Sequence, residues 1–540
     1  MNRKLRRQQA KMNKKVGGSP HGAASEEATQ ALEQGFKFHQ EGNLEEAGNL
    51  YEKILALDPG NAEANHLLGI IALDKSDFAT ACELIGKAVN TNPRHFIAQN
   101  NLGNAFSALG NLAEAEKCYR KALKFKADYA IAHCNLGTVL QDTDRHEDAE
   151  KHFRRAVSLQ PDYIEALGKL GNALAEKGAN AEAAGFLKRA VDLKPGDAGM
   201  LNDLGNALKD SNLLEQAREV YHRALAIDPD DAKTNYNLAM SHLIAGDLAE
   251  GFKGYEWRWK VDGLVEKRSF AGVRWNGEAL EGRTILVYAE QGLGDSIQFC
   301  RYLPLLVAGG GKVAFECQPA LINLLSGMDE NITVFPRGAP PPPYDKIHVP
   351  LLSLPQLLGT TLKSLPADTP YLHADAALAE KWDEYFSQYS GPKIGLNWRG
   401  GPAHLNDHNR STTLALFARY FCDPGTHYFS LQIDRPMDEN DLPEHFIDLG
   451  KSFSDTAAAL KHLDLVISVD TAIAHLAGAV GTNVWTLLAT PCDWRWLLER
   501  EDTPWYPSMK LKRKEAGEDW DALLARVAAD LKKEMNGTDG

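Results

Sequence analysis

Five prolines, Pro59, Pro93, Pro161, Pro195 and Pro229, fall on one 34-residue grid, and Ala127 takes the remaining slot. Gly69, Gly103, Gly137, Gly171 and Gly205 keep the same step. So do two alanine series: Ala81, Ala115, Ala149, Ala183 and Ala217, then Ala88, Ala122, Ala156, Ala190 and Ala224. Small residues recur where two helices must approach closely, and Tyr51, Tyr119, Phe153 and Tyr221 recur where a gap must be filled. A proline near the end of each period stops a helix, because its ring cannot continue the backbone hydrogen-bond ladder. A unit of this length is two short helices and a turn. It cannot bury its apolar face alone, so successive units must stack into a solenoid. That constraint governs nearly half of the chain.

The pattern closely resembles the tetratricopeptide-repeat (TPR) family. The units read 28–61, 62–95, 96–129, 130–163, 164–197 and 198–231, with a degenerate seventh at 232–265, and the solenoid domain is expected over 28–261. The resemblance implies a right-handed superhelix that binds partners. Asn101, Asn135 and Asn237 share one register position in the first helices, with Asp203 in the same slot, while Asn104, Asn172 and Asn206 share another. Both positions are expected on the inner groove, where a primary amide donates to and accepts from a peptide backbone. The row is similar to that of O-GlcNAc transferase, although Asn before Leu-Gly is also common in TPRs generally.

Acidic residues outnumber basic ones, 73 to 59, for a net charge of −14. That argues against nonspecific nucleic-acid binding by the whole chain. Residues 1–27 read as a disordered basic tail, with Arg3, Lys4, Arg6, Arg7, Lys11, Lys14 and Lys15 and no carboxylate before Glu26. The tail lacks the apolar core of a signal peptide. No stretch approaches the ~18 apolar residues of a membrane span. The seven cysteines are scattered, with no C-x-x-C, which fits reduced thiols in a cytoplasm.

The period changes after a 262–282 linker. Thr284–Ala289 is a short apolar run of the kind that forms a buried parallel strand, followed by the turn Glu290-Gln291-Gly292-Leu293-Gly294-Asp295 and a helix over 296–307. Strands at Lys312–Cys317, Ile332–Phe335 and Lys346–Val349 complete a Rossmann-like domain over 283–385. A second, 391–535, has strands at Lys393–Asn397, Tyr428–Leu431, Phe446–Leu449, Leu465–Val469 and Val484–Leu488. A helix over 519–533 is expected to pack back across both domains. Tyr255 and Trp259, four apart on one helical face, are expected to form the seam between the last repeat and the next domain. Two such domains enclose a cleft where ligands usually sit.

Three elements border that cleft. The turn at Gln291, Gly292 and Gly294 lacks the third glycine of a dinucleotide fingerprint, because Ile297 stands there. It ends in Asp295, which reads either as a helix cap or as a carboxylate at the strand's carboxyl edge. Arg399 and Arg410, in the loop after Trp398, offer guanidinium forks for phosphate. Asp470 and Thr471 meet a helix of small residues carrying His475. Such a helix start attracts a diphosphate, or is simply a capped helix with a core histidine.

Together the 285–295 block, Ile394–Trp398 and Asp470-Thr471-x-x-x-His475-Leu-Ala resemble the ADP-heptose:lipopolysaccharide heptosyltransferase family, and still more closely bacterial fusions of TPRs to such a domain. The resemblance implies a GT-B fold of two Rossmann-like domains, an inverting, metal-independent glycosyltransferase with a nucleotide-sugar co-substrate and no other cofactor. It places Asp295 at the catalytic base, and Thr471 and His475 in the donor-phosphate motif. Ala472 stands where the family commonly has glycine, and the first loop is longer than usual. The expected acceptor is a protein recruited by the repeats, flagellin or another surface protein by analogy. The alternatives are a scaffold that does no chemistry and an enzyme acting on a polysaccharide.

Overall fold

The computed structural model describes residues 23–402, 406–433, 442–449, 452–515 and 517–535. Most of the basic tail therefore lies outside the described residues. The chain divides into two compact units, 1–208 and 209–540. The division falls within the sixth repeat, so the seventh belongs to the same unit as the α/β domains.

In the first unit the helices alternate as the period demands, for example Ala62–Asp74 with Phe78–Thr91 and Phe96–Ala108 with Leu112–Phe125. The first helix begins at Ala23 rather than at 28. Four of the recurring glycines face a large side chain sixteen residues on. A Cβ on Gly103 would lie 2.5 Å from Tyr119, on Gly137 2.6 Å from Phe153, on Gly171 2.5 Å from Leu187, and on Gly69 2.4 Å from Ile85. The alanines of both series in this unit, from Ala81 to Ala190, are fully buried. The turns between paired helices need a residue in the left-handed region, supplied by Gly42, Ser76, Gly110, Asp144 and Gly178. Asn43, Asp77 and Asn111 cap the second helices through their side chains.

In the second unit two all-parallel sheets follow the last repeat. The first comprises β1 (Val273–Arg274), β2 (Thr284–Tyr288), β3 (Lys312–Cys317), β4 (Ile332–Pro336) and β5 (Ile347–Pro350), in the order β1-β5-β2-β3-β4. The second comprises β6 (Lys393–Asn397), β7 (His427–Ser430), β8 (Phe446–Asp448), β9 (Leu465–Val469), β10 (Val484–Leu488) and β11 (Met509–Arg513), in the order β11-β10-β9-β6-β7-β8. This is the doubly wound arrangement, and its strand order reverses between β6 and β9.

Several expectations need correction. The linker contributes an edge strand, because Val273 and Arg274 pair with Ile347 and His348. Helix Ala376–Phe386, placed by sequence with the first domain, packs on helix Phe453–Leu460 of the second, and Phe386 stacks edge-on against Phe429 of β7. The C-terminal helix Trp520–Met535 does not cross both domains. Leu523, Leu524, Val527 and Leu531 join the second domain's core with Ile394, Phe417 and Trp485. The last repeat's helix stops at Tyr255, and a 3-10 turn, Glu256–Trp259, follows. Three residues per turn redirect the chain, so the fully buried side chain is Arg258 and Trp259 is only half-buried. Tyr255 takes the seam position as expected: with Phe252 and Leu248 it joins a core that also holds Phe299, Trp494 and Trp505.

Candidate functional site at the carboxyl edges of the two sheets

The loops after β2, β6, β9 and β10 converge. The helix after β2 runs Leu293–Phe299, interrupted by a 3-10 turn at Cys300–Tyr302 before Leu303–Ala308. Its cap is Gly292, so Asp295 sits one turn in and reaches back to accept from the Gly292 amide at 2.9 Å. The other Asp295 oxygen pairs with Arg495, from the turn after β10. Arg495 also donates to Gln298 at 2.7 Å and pairs with Asp493 at 2.8 Å, while its guanidinium lies 4.6 Å from the Trp494 ring. Burial works against the Arg495 charge, but Asp493 and then Asp295 outweigh it and push its pKa up.

The loop after residue 289 and the turn at 470 are expected to confront each other across a gap wide enough for an activated sugar, but helices Leu293–Phe299 and Ala472–Ala479 pack directly on one another. A Cβ on Gly294 would stand 3.0 Å from the His475 ring and 3.6 Å from the Cα of Ala472. Gly294 is therefore required by the close approach of helices Leu293–Phe299 and Ala472–Ala479. His475 is buried, stacked on Trp496 with ring centroids 5.2 Å apart and hydrogen-bonded through Nδ1 to the Tyr506 hydroxyl at 2.9 Å. Burial, then Arg495, Arg301 and Arg410, hold its pKa well below the usual histidine value. It is thus a neutral framework residue here and offers no cation to a phosphate.

Thr471 donates to Asn397 at 2.8 Å, which ties the end of β9 to the end of β6 across the switch point. The Asp470 carbonyl accepts from Arg410 at 2.9 Å, and Arg410 also pairs with Asp407 at 3.3 Å. Burial and the Asp493 carboxylate, opposed by Arg410 and Arg495, push the Asp470 carboxyl up to about 6. Gly400 admits Arg410, since a Cβ there would be 2.5 Å from its Nη2. The Arg399 backbone is clasped by Gln432, which accepts from its amide at 3.2 Å and donates to its carbonyl at 3.1 Å. The loop residue Gln291 donates to the Tyr255 hydroxyl of the last repeat at 2.8 Å, and its carbonyl accepts from Gln318 at 2.6 Å. The result is a polar rim in which Asp295, Arg399, Arg410, Asp470 and Asp493 stay partly accessible, above a framework of Thr471 and His475.

Several of the asparagines expected on the groove hydrogen-bond to neighbouring polar side chains of the solenoid. Asn135 donates to Asn100 at 3.0 Å and to Asn104 at 2.9 Å, Asn172 donates to Asp203 at 2.9 Å, and Asn101 meets His66 at 3.1 Å. Asn206 and Asn237 are half-buried at their expected register positions. Among the described residues Glu63, His66 and His95 bring possible metal-ligand atoms within 4.8 Å of one another. The His95 Nδ1 accepts from the Ala98 amide, so in the neutral ring the proton sits on Nε2, the atom 3.4 Å from Glu63. His66 Nε2 is taken by Asn101, while its buried Nδ1 has no hydrogen-bond partner among the described residues.

Sequence reasoning missed Arg495, Asp493, Asn397 and Gln432. One signal was available. Glu256-Trp257-Arg258-Trp259 and Asp493-Trp494-Arg495-Trp496 are the same acid-Trp-Arg-Trp motif.

Family models for the tetratricopeptide repeat match residues 134–198, and for the TPR repeat residues 103–144 and 205–243. The chain carries TPR repeats. It is 28% identical over 321 residues to Protein FlbA of Caulobacter vibrioides, a match covering 54% of this chain and 53% of that protein. The chain thus spans about half the length of the curated relative it matches. Solved structures similar to it include YrrB, a TPR protein described as having an unusual peptide-binding site (23% identity, 34% of this chain and 95% of that one, TM-score 0.30). Others are MamA (27%, 30% and 94%, TM-score 0.28) and PilF of Pseudomonas aeruginosa (19%, 38% and 91%, TM-score 0.34). Among the described residues no helix is long and apolar enough to cross a membrane.

Proposed function

We propose that the α/β half is a GT-B glycosyltransferase that moves a sugar from a nucleotide-sugar to an acceptor hydroxyl, on a protein held by the TPR repeats. The observation that carries this reading is the convergence of Asp295, Arg399, Arg410 and Asp470 at the carboxyl edges of two parallel sheets, where open α/β folds bind their ligands. In an inverting displacement the acceptor oxygen bonds to the anomeric carbon, the bond from that carbon to the diphosphate oxygen breaks, and the hydroxyl proton passes to a carboxylate. Asp295 fills that last role, and general-base assistance of this kind contributes ~10²–10⁴-fold. Arg399 and Arg410 are the cations placed to balance the departing diphosphate.

A scaffold without chemistry is the second reading. It is favoured by the tight Gly294–Ala472 contact and by the engagement of Asp295 with Arg495. The discriminating experiment incubates the full chain with a panel of nucleotide-sugars and candidate acceptor proteins and compares it with Asp295→Asn. Transfer lost in the variant with nucleotide-sugar binding retained supports the enzyme. Absence of turnover in both, with partner binding intact, supports the scaffold. The acceptor assignment is tested separately, by asking whether peptides from the acceptor compete for the repeats.

A further inference from the structure

The two acid-Trp-Arg-Trp motifs have matching structures. Both are 3-10 turns, at Glu256–Trp259 and Trp494–Trp496, and both bury their arginine. Each arginine pairs with its own motif's acid: Arg258 with Glu256 at 2.7 Å, and Arg495 with Asp493 at 2.8 Å. Each also pairs with one end of the same loop. Arg258 meets Glu290 at 2.8 Å, and both side chains are completely buried, while Arg495 meets Asp295. One turn belongs to the last repeat and the other to the second α/β domain, so the loop from 290 to 295 is gripped from two separate elements.

The remaining contacts complete the grip. Tyr255, leading into the first turn, accepts from Gln291, and its ring lies 6.5 Å from Trp494 of the second. Phe252 meets Trp494 edge-on at 5.6 Å. Arg258 also donates to Ser353 at 2.9 Å, and Ser353 donates to Glu256 at 2.7 Å. A planar guanidinium with several fixed donors suits this task, because it sets the direction as well as the distance of a carboxylate.

We propose that these twin turns form a clamp in which Arg258 and Arg495 are positioning residues that hold the Glu290–Asp295 loop, and with it the Asp295 carboxylate. The last TPR repeat is then a structural part of the site. The consequence for turnover rests on the glycosyltransferase reading, whereas the consequence for the loop does not.

The test uses the full chain with Arg258→Lys and Arg495→Lys, which keep the charge and lose the fork. Amide hydrogen exchange is followed across 289–299, with the repeats at 130–159 as the internal reference. The clamp predicts at least about fivefold faster exchange across the loop in each variant, with the reference unchanged. With a competent nucleotide-sugar, it also predicts kcat lowered about tenfold or more while the donor KM stays within about threefold. Unchanged loop exchange in both variants overturns the clamp. If wild-type protein turns over no nucleotide-sugar, the enzymatic reading fails while the exchange result still decides the clamp. If either arginine variant does not fold, Tyr255→Phe replaces it, removing a single hydroxyl and leaving no charge unpaired. Faster exchange at 291–295 supports the clamp, and none overturns it.

Discussion

The repeats and the α/β half reach stability by opposite routes. In the repeats the contacts lie within a unit or between neighbouring units, as where Tyr119 fills the space left by Gly103. In the α/β half the decisive contacts join distant points: Arg258 and Ser353 are 95 residues apart, Arg495 and Asp295 200, and Arg301 and the Trp505 carbonyl 204. Local contacts can be changed one unit at a time, whereas long-range polar contacts stand or fall together. The site is built from the second kind.

The sharpest way to break this comparison is Arg258→Met. It leaves Glu290 buried without its partner, and removing one member of a buried pair costs about 3–5 kcal/mol. Urea unfolding of the full chain should show that loss in the unit carrying the α/β domains. A change below about 1 kcal/mol would mean that distant ion pairs do not hold this half. Next is Gly137→Val, which forces a side chain against Phe153 and should cost about 1–3 kcal/mol in the first unit. If that cost also moved the α/β transition, the repeats would not be locally determined.

Asn61→Ala removes the cap that accepts from the Ala64 amide at 3.0 Å, and should lower stability by about 1 kcal/mol by the same measurement. The last effect is a pH dependence. Asp470 is raised from 3.8 to about 6 by burial and by Asp493, so the folded state holds its proton more tightly than the unfolded state does. Its contribution is full below pH 3.8 and declines as pH rises toward about 6. The stability of wild type minus that of Asp470→Asn should therefore fall across that window. A flat or rising difference contradicts the assignment.

The same contrast explains what could be read from sequence. The repeat grid names its own contacts, because Gly and aromatic recur at fixed spacing. Most strands were legible as apolar runs, and the switch-point loops followed from where those runs end, but the two-residue β1 and the lysine-alternating β11 were not. The pairing of Asp295 with Arg495 was not legible, because only folding joins residues so far apart. The burial of His475 was hidden for a related reason: Trp496 and Tyr506, which cover it, come from a later part of the chain. Helix Ala376–Phe386 was assigned to the wrong domain because its Trp382 and Phe386 fit either core by composition, and packing on Phe429 and His462 decides between them.

The central claim is that the carboxyl-edge rim takes an activated sugar. Hydrogen exchange with and without nucleotide-sugars tests it most directly, because the second domain also has a cavity of about 550 Å³ at the opposite, amino-terminal edge, lined by Lys393, Asn483, Ser508 and Lys510. The account predicts protection confined to 289–296, 397–402, 406–411, 470–475 and 489–497. Protection at 391–394, 483–485 and 508–510 instead, or none with any nucleotide-sugar, would contradict it.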